Sequence, residues 1–291
     1  MFFSNEWKDY ELIECSDGER LERWGKYILI RPDPQVIWKG KRTDPRWNTP
    51  DGVYKRIKGG GNWVVNKMPE SWNIRYKDLS FKIKPMGFKH TGIFPEQASN
   101  WDFVSNVIRE RKNKSGITPS VLNMFAYTGA ATVACSKAGA TVVHVDASKG
   151  MVSAAKENME LSGLGDSPCR YIVDDCKKFI EREIRRGNRY DGIIMDPPSY
   201  GRGPNGELWT LENSVEELIR LSCSVLSDEP VFFLINSYTK GLSPMTLQYI
   251  LHCSLPDSLK SKVRFDTGET CIPVKKSGLF LPSGASVRAT F

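Results

Sequence analysis

Four groups that could contact a ligand follow four predicted strands in succession. They are a glycine turn over residues 123–129, Asp146, the pair Asp174 and Asp175, and the segment 196–200. Ligands bind beside the carboxyl ends of the strands in open α/β sheets. We therefore expect these four groups to meet at one edge of a parallel sheet.

The first two groups indicate a ligand that contains a ribose. Gly129 permits a tight turn and a close approach of the main chain to a ligand. Asp146 lies 17 residues further on, at a point where a carboxylate accepts hydrogen bonds from ribose hydroxyls. The alternative role of Asp146 is to cap the helix that follows. The glycine turn upstream favours the ribose.

The other two groups indicate contacts with a base. Asp174 or Asp175 could accept from an adenine amino group or cap the next helix, and we assign the base contact to Asp175. In segment 196–200, DPPSY, two prolines fix the main chain and leave carbonyl acceptors pointing outward. A rigid acceptor beside a carboxylate and an aromatic ring can hold a flat base. The alternative is a proline turn after a buried strand, which does not explain the register with the other three groups.

Strands and helices alternate over the part of the chain that carries these groups. A helix is predicted from Pro95 to the region of Gly116, where apolar residues recur at helical spacing. The alternation predicts an α/β fold with a mostly parallel sheet and helices on both faces. Two last strands around the turn at 277–278 would add an antiparallel edge. The buried strands are predicted at residues 120–125, 141–146, 170–174, 190–196 and 231–235.

The first 90 residues are predicted to form a small β-rich domain. Short apolar or alternating runs at residues 27–30, 53–57 and 81–84 predict strands, and turn signals such as 31–34 and 59–62 separate them. We therefore expect two domains, over residues 1–90 and 91–291.

The composition is typical of a globular protein without a membrane-spanning segment, disulfides or a metal site. Hydrophobic residues make up 40% and charged residues 26%, as in ordinary globular proteins. No apolar run approaches the ~20 residues that span a bilayer, and the first residues lack the pattern of a secretory signal. We expect a cytoplasmic protein that does not insert into a membrane. The seven cysteines show no C-x-x-C spacing and the three histidines are not spaced for metal binding, so neither disulfides nor a metal is expected.

The net charge of +7 is concentrated in one segment. Residues 36–90 hold 13 Lys and Arg against 4 Asp and Glu, interleaved with tryptophan and tyrosine. This pattern favours a polyanion with bases that stack, and a solvated basic surface over a Trp-rich core is the alternative. The residues proposed to contact RNA here are Lys41, Arg42, Lys55 and Arg56.

Three sequence blocks together resemble the large-subunit ribosomal RNA methyltransferases, a group with the class I fold that acts on cytosine C5 or guanine N7. Residues 123–129 are similar to their N-x-F-x-Y-T-G block, 196–200 to D-P-P-x-[FY], and 91–97 to G-[LVI]-F-x-[DE]-Q. The resemblance covers roughly residues 91–240. It implies a Rossmann-like domain with a mostly parallel seven-stranded sheet, S-adenosylmethionine as cofactor and RNA, in particular ribosomal RNA, as partner.

The resemblance also implies which residues bind the cofactor. Phe94 and Gln97 are expected to wall its pocket. The remaining residues expected to contact it are Asn123, Phe125, Tyr127, Thr128, Gly129, Asp146, Ala147, Ser148, Asp174, Asp175 and Asp196.

The chain also departs from this group. Residues 1–90 do not resemble its small PUA-type RNA-binding domain. In the cytosine C5 enzymes, a cysteine in the equivalent stretch forms the covalent adduct with the base. Residues 235–238, INSY, contain no cysteine. We therefore expect direct transfer to nitrogen.

For that reaction, Asp196 and the Pro197 carbonyl are assigned to positioning the base, Tyr200 to stacking on it, and Asn236 to holding its edge. Arg202 is expected near a phosphate, in a mobile loop over residues 201–206, and the alternative for this loop is a simple connection.

Other classes of protein remain as alternatives. A dinucleotide-dependent dehydrogenase would need G-x-G-x-x-G after the first strand, and only Gly129 stands there. A methyltransferase acting on a protein or a small molecule lacks an explanation for the basic segment. A non-catalytic RNA-binding protein with a vestigial pocket would not require the ordered acidic residues. The oligomeric state is left open.

Overall fold

The computed structural model describes residues 1–57, 60–87, 89–202 and 208–291. The chain divides into two compact units. The N-terminal unit holds residues 2–99 and 270–283, and the C-terminal unit holds residues 100–269 and 284–291 together with Met1. The domain boundary at residue 90 stays a prediction.

The N-terminal unit is built mainly from strands. A five-stranded sheet has the order β2-β3-β4-β5-β6, in which only β4 and β5 run parallel, and β7 pairs with β8 as a separate hairpin. Two short 3-10 helices cover Pro45–Asn48 and Pro95–Gln97. The strands are β1 (Phe2–Phe3), β2 (Tyr10–Ser16), β3 (Glu19–Trp24), β4 (Tyr27–Pro32), β5 (Gly52–Ile57), β6 (Gly60–Asn66), β7 (Trp72–Tyr76) and β8 (Leu79–Ile83).

The predicted strands in this unit are present as β4, β5 and β8, but both predicted turns extend too far, because Arg31 and Pro32 belong to β4 and residues 60–62 belong to β6. Gly60 and Gly61 begin β6 and pair with the end of β5, while Gly59 lies outside the described residues. An ion cluster is buried beside the apolar core. Glu22 accepts hydrogen bonds from Tyr10 and from two nitrogens of Arg31 at 2.6–2.8 Å. Burial alone would raise the pKa of Glu22, but the charges of Arg20 and Arg31 outweigh it and lower this pKa to about 2.

The C-terminal unit alternates helices and strands as expected. Its helices are α1 (Ala98–Ser115, whose first two residues belong to the other unit), α2 (Ala130–Lys137), α3 (Lys149–Leu161), α4 (Cys176–Arg186), α5 (Leu211–Cys223), α6 (Pro244–Ser254) and α7 (Asp257–Lys260). Its strands are β9 (Ser120–Met124), β10 (Thr141–Asp146), β11 (Cys169–Val173), β12 (Gly192–Met195), β13 (Tyr200–Arg202), β14 (Leu208–Thr210) and β15 (Phe232–Ser237), with parts of β16 (Arg264–Pro273) and β17 (Phe280–Thr290).

Seven of these strands follow one another in the order β16-β17-β15-β12-β9-β10-β11. The five strands from β15 to β11 run parallel, and β17 is antiparallel to β15. All residues of β12 and β15 are buried, which explains the apolar sequence of β12 and of β15 as far as Ile235. The order confirms the predicted α/β fold with a mostly parallel sheet and an antiparallel edge. Within the described ranges, no helix has the length and apolar character required to cross a membrane.

Candidate functional site

The register of the parallel strands brings the predicted groups to one edge of the sheet. Met124 at the end of β9 pairs with Val145 of β10 and with Met195 of β12, and Met195 pairs with Ile235 of β15. The next residue along each strand is therefore at the same level, and neighbouring strands are about 4.8 Å apart. These next residues are Phe125, Asp146, Asp196 and Asn236.

The turn after β9 has an unusual backbone. Phe125 and Tyr127 have φ of 53° and 51°, and Gly129 has φ of 79°. Two non-glycine residues in this region cost about 1–2 kcal/mol each, and such strain clusters at functional sites. A Cβ on Gly129 would lie 2.7 Å from the Cβ of Ala155 in α3. The glycine is therefore required by its φ and by the packing of α3, and the approach of a ligand to this turn stays a prediction.

Asp146 fixes the backbone of this turn. Its carboxylate accepts from the Tyr127 N–H over 2.9 Å and from the Ser148 N–H over 2.8 Å. Ser148, and not Asp146, is the N-cap of α3, since its hydroxyl accepts from Met151 N–H. A carboxylate can accept about four hydrogen bonds, so Asp146 keeps acceptor capacity for a ligand. The next residue, Ala147, is exposed.

The two acidic residues after β11 have different partners. Asp174 forms an ion pair with Arg182 of α4. Asp175 is exposed and is the N-cap of α4, where Oδ1 accepts from Lys178 N–H over 2.9 Å. The capping alternative therefore holds for Asp175, and its contact with adenine stays a prediction that depends on its second oxygen.

The segment after β12 leads into a short hairpin. Asp196 is half-buried, Pro197 is buried and Tyr200 is 71% exposed. Tyr200 pairs with Thr210 in the β13–β14 hairpin, which replaces part of the predicted loop. Residues 203–206 of that loop lie outside the described residues, as does the side chain of Arg202, whose contact with a phosphate stays a prediction.

Sequence reasoning missed two residues that contact this edge. The ring of Trp209 in β14 stacks on Phe125, with centroids 6.4 Å apart and planes 25° apart. Asn100 of α1 donates from Nδ2 to Asn236 Oδ1 over 2.9 Å. An aromatic residue after a glycine-rich segment was a weak signal for Trp209. No sequence signal joins Asn100 to a partner 136 residues away.

A buried polar network lies beneath the turn. Asn123 Nδ2 donates to Thr132 Oγ1, and Thr132 Oγ1 lies 2.9 Å from His144 Nδ1. Thr128 is buried, and its carbonyl accepts from Asn158 Nδ2 over 2.8 Å. The amide of Asn123 and the carbonyl of Thr128 thus make hydrogen bonds to other residues of the protein. Direct contacts of these two residues with a cofactor stay predictions.

His144 should make the protein less stable in acid. Burial lowers the pKa of this fully buried histidine to about 4, below the ~6.5 of an unfolded chain. The unfolded state therefore binds a proton first as pH falls below ~6.5, and stability is lost between ~6.5 and ~4. His144→Gln should reduce this loss by about 2 kcal/mol at pH 4.5, measured by urea unfolding. His252→Gln, at an exposed position, is the control, and equal pH profiles for His144→Gln and wild type would refute the argument.

The residues predicted to bind RNA lie in the N-terminal unit. Lys41, Lys55 and Arg56 are exposed. Arg42 is already engaged, because its guanidinium forms an ion pair with Glu19 over 2.8 Å and lies 4.1 Å from the ring centre of Trp47.

The aromatic residues of the basic segment are of two kinds. Trp47, Tyr54 and Tyr76 are buried, as the alternative of a Trp-rich core expects, while Trp38 is 42% exposed. Phe94 and Gln97 also belong to this unit, with Gln97 buried and donating from its N–H to the Phe94 carbonyl. Their place in a cofactor pocket stays a prediction.

Known proteins share both the sequence and the fold. Residues 43–227 match a family model described as S-adenosylmethionine-dependent methyltransferase. The crystal structure of the SAM-dependent methyltransferase from Agrobacterium tumefaciens superposes with a TM-score of 0.90. That protein is 31% identical, and the match covers 99% of this chain and 92% of that one.

Two curated relatives match over shorter segments. Ribosomal RNA large subunit methyltransferase K/L from Syntrophotalea carbinolica is 28% identical over 65% of this chain, which spans 25% of that protein. Ribosomal RNA large subunit methyltransferase I from Serratia proteamaculans is 33% identical over 44% of this chain and 32% of its own length. The chain thus spans about a quarter to a third of these relatives. With the family model matching more than half of the chain, and with the strand order described above, the chain belongs to the S-adenosylmethionine-dependent methyltransferases and uses S-adenosylmethionine as its cofactor.

Proposed function

We propose that this cytoplasmic enzyme methylates a base of ribosomal RNA by direct transfer to nitrogen. The observation that carries the proposal is the alignment of Asp146 and Asp196 at one edge of the sheet, with one strand between their strands. This edge combines acceptors suited to a ribose with acceptors suited to a base. The names of the relatives, which are ribosomal RNA methyltransferases, support RNA as the substrate.

The residues at this edge fit the cofactor. S-adenosylmethionine carries an activated methyl group, so the protein has to supply orientation and electrostatics. Asp146 holds the strained turn through one hydrogen bond from Tyr127 N–H, accepts a second from Ser148 N–H, and retains acceptors for the ribose hydroxyls. Asp175 uses one oxygen as a helix cap and offers the other to the adenine amino group. Phe125, whose N–H donates to Cys176 Sγ, provides an apolar wall beside them.

Asp196 and its neighbours fit the target base. Pro197 has no N–H and is buried, so its main chain is rigid and its carbonyl can serve as an acceptor. Asp196 adds a carboxylate acceptor one residue earlier. Tyr200 is 71% exposed, and its ring is available for stacking on a base. Together these groups hold an amino-bearing base edge in position and require no covalent intermediate.

Cys176 and Cys223 are poorly suited to an attack on carbon 5 of cytosine. That reaction needs a thiolate nucleophile with a lowered pKa. Cys176 contacts the turn after β9, but burial raises the pKa of its thiol to about 12. Burial also raises the pKa of Cys223 to about 12. Asn236 and Ser237 end β15, and the resemblance to the ribosomal RNA methyltransferases implies that the carbon-5 enzymes carry a cysteine in this stretch.

The N-terminal unit supplies a surface that fits the RNA backbone. Lys39 and Lys41 flank Gly40, and both are exposed with no ion pair to any described residue. Trp38 lies next to them, and its Nε1–H donates to the Cys15 carbonyl over 3.2 Å, which orients the ring. Free cations beside a partly exposed aromatic ring suit phosphates and an unpaired base.

Removing charge from this surface should flatten the salt dependence of RNA binding. We compare wild type with a triple variant that carries Lys41→Ala, Lys55→Ala and Arg56→Ala. In this variant, the plot of the logarithm of the RNA-binding constant against the logarithm of the salt concentration should become less steep by up to about 2, since each lost phosphate contact contributes about 0.7. Arg42 is kept because it is paired with Glu19. A control variant replaces Lys114, Lys262 and Arg264, which are exposed in the C-terminal unit. An equal slope for wild type and the first variant would mean that this surface does not bind RNA.

The proposed activity is tested by transfer of labelled methyl from S-adenosylmethionine to deproteinised ribosomal RNA, beside total protein and a metabolite extract. Label in the RNA is the expected result. Label only in protein or metabolites would support the alternative of a protein or small-molecule methyltransferase. No label in any sample, with the cofactor bound, would support the non-catalytic alternative.

A further inference from the structure

Two buried asparagines and the half-buried Arg288 of the C-terminal unit form a series of hydrogen bonds that ends at Asn236. Arg288 of β17 donates from Nε to Asn100 Oδ1 over 2.8 Å, and Asn100 donates from Nδ2 to Asn236 Oδ1 over 2.9 Å. Ser286, directly opposite Asn236 in the sheet, lies 3.3 Å from Asn100 Nδ2. Both asparagines are at most 3% exposed, so water competes little for these bonds.

Arg288 fixes which atoms donate and which accept in this series of hydrogen bonds. A guanidinium has donors and no acceptor, so the Asn100 atom that faces it is the carbonyl oxygen. Its amide nitrogen therefore faces Asn236, which must present its own oxygen in return. Turning either amide over would bring two donors together in a buried place, which is costly. Burial lowers the pKa of Arg288 to about 10, which still leaves it charged at neutral pH.

The amide nitrogen of Asn236 is the group left for a ligand. Within the described part of the chain, this Nδ2 makes no hydrogen bond, and it is not among the unpartnered polar atoms that are sealed from solvent. Asn236 follows Ile235, which pairs with Met195, the residue before Asp196. The amide therefore lies at the level of the proposed base contacts.

We propose that Arg288 and Asn100 are positioning residues that make Asn236 present a hydrogen-bond donor to the target base. The inference rests on the proposed function, because it takes Asn236 as a contact of the base. Asp196 and the Pro197 carbonyl offer acceptors and Asn236 offers a donor. The site therefore selects a base edge on which an amino or imino donor lies beside an acceptor, and it fixes which way round that edge enters.

Asn100→Asp tests this polarity with almost no change of shape. The new carboxylate still accepts from Arg288 but has no donor for Asn236. The Asn236 amide should then turn over and donate to the carboxylate, which removes the donor from the base. We expect kcat/KM for RNA to fall about tenfold, with the affinity for S-adenosylhomocysteine and the Tm close to wild type. Ser105→Ala, at a buried hydroxyl on the same helix that donates to the Ala134 carbonyl, is the matched control.

A double-mutant cycle separates positioning from stability. If Asn100 acts through Asn236, adding Asn100→Asp to Asn236→Ala should lower kcat/KM no further. A full additional tenfold loss in the double variant, or wild-type kcat/KM in Asn100→Asp, would overturn the proposal. If Asn100→Asp does not fold, Arg288→Lys and Arg288→Met replace it. The lysine variant keeps a donor-only cation and should retain more activity than the methionine variant, and equal losses would overturn the proposal.

A second readout does not depend on catalysis. In ¹⁵N–¹H spectra, the side-chain amide of Asn236, identified by its loss in Asn236→Ala, should exchange faster in wild type than in Asn100→Asp, where it gains an acceptor. Unchanged exchange would contradict the inference even in a fully active enzyme. The wild-type transfer assay reports separately on the proposed function. If the label enters protein or metabolites, the cycle is run on that substrate, and full additivity there also overturns the proposal.

Discussion

Asp196→Ala should lower methyl transfer by roughly a hundredfold to a thousandfold and leave cofactor binding largely intact, because Asp146 and Asp175 are unchanged. Direct transfer depends on holding the accepting nitrogen in line with the activated methyl. Asp196 directly follows β12, and the rigid Pro197 follows it. Loss of its carboxylate removes the proposed acceptor of the base and leaves untouched the turn that is proposed to hold the cofactor. Initial rates with ribosomal RNA and calorimetry with S-adenosylhomocysteine check the two halves of this prediction.

Two further variants show whether the effect belongs to this carboxylate. Asp196→Asn keeps one acceptor oxygen and nearly the same shape, so its activity should lie between those of alanine and wild type. Asp166→Ala removes an exposed carboxylate ahead of β11, on the amino side of that strand, and should be fully active. Wild-type rates for Asp196→Ala would refute the role given to Asp196.

Asp146→Ala should weaken cofactor binding by at least about a hundredfold, because hydrogen bonds to a carboxylate contribute about 1.5–3 kcal/mol each. The substitution removes the proposed acceptors of the ribose. It also frees the N–H groups of Tyr127 and Ser148, which Asp146 now accepts at 2.9 and 2.8 Å. The strained turn at Tyr127, with φ of 51°, then loses the hydrogen bond that holds it. Calorimetry with S-adenosylhomocysteine measures the loss.

Asp146→Asn separates the two contributions. Its side chain can accept only through one oxygen and carries no charge, so affinity should fall less than with alanine. Thermal unfolding of each variant shows how much of the effect comes from the turn itself. Unchanged affinity in Asp146→Ala would mean that the ribose binds elsewhere.

Much of the C-terminal unit could be predicted from the sequence for a physical reason. Strands buried on both faces need continuous apolar sequences, and helices between them need 3.6-residue periodicity, so both are visible without coordinates. β12 and β15 show this most clearly, since each is fully buried. Parallel neighbours then bring their carboxyl ends to one edge, which is why Asp146 and Asp196 could be grouped from their positions alone.

Other features could not be predicted because long-range contacts determine them. The β13–β14 hairpin consists of two strands of three residues each, too short for a pattern to show. Capping was assigned only as an alternative, and the structure gives it to Ser148 and Asp175. Arg288 and Asn100 are 188 residues apart, so their hydrogen bond leaves no trace in local sequence.

In the N-terminal unit, mixed burial hid several strands. β6 alternates exposed and half-buried residues and begins with two glycines, which resembles a turn signal more than a strand. β3 contains four charged residues, but Glu22 and Arg20 are buried in an ion cluster. Charged residues normally mark a surface, so the pattern of this strand conceals its burial.

The proposed direct transfer of a methyl group to a base nitrogen of ribosomal RNA can be tested on the labelled product itself. Ribosomal RNA is treated with the enzyme and isotopically labelled S-adenosylmethionine, digested to nucleosides and analysed by mass spectrometry. The expected product is a labelled nucleoside whose methyl group is on nitrogen, formed by wild type and nearly absent with Asp196→Ala. Label on carbon 5 of cytosine or on a ribose oxygen, or equal labelling by the variant, would contradict it.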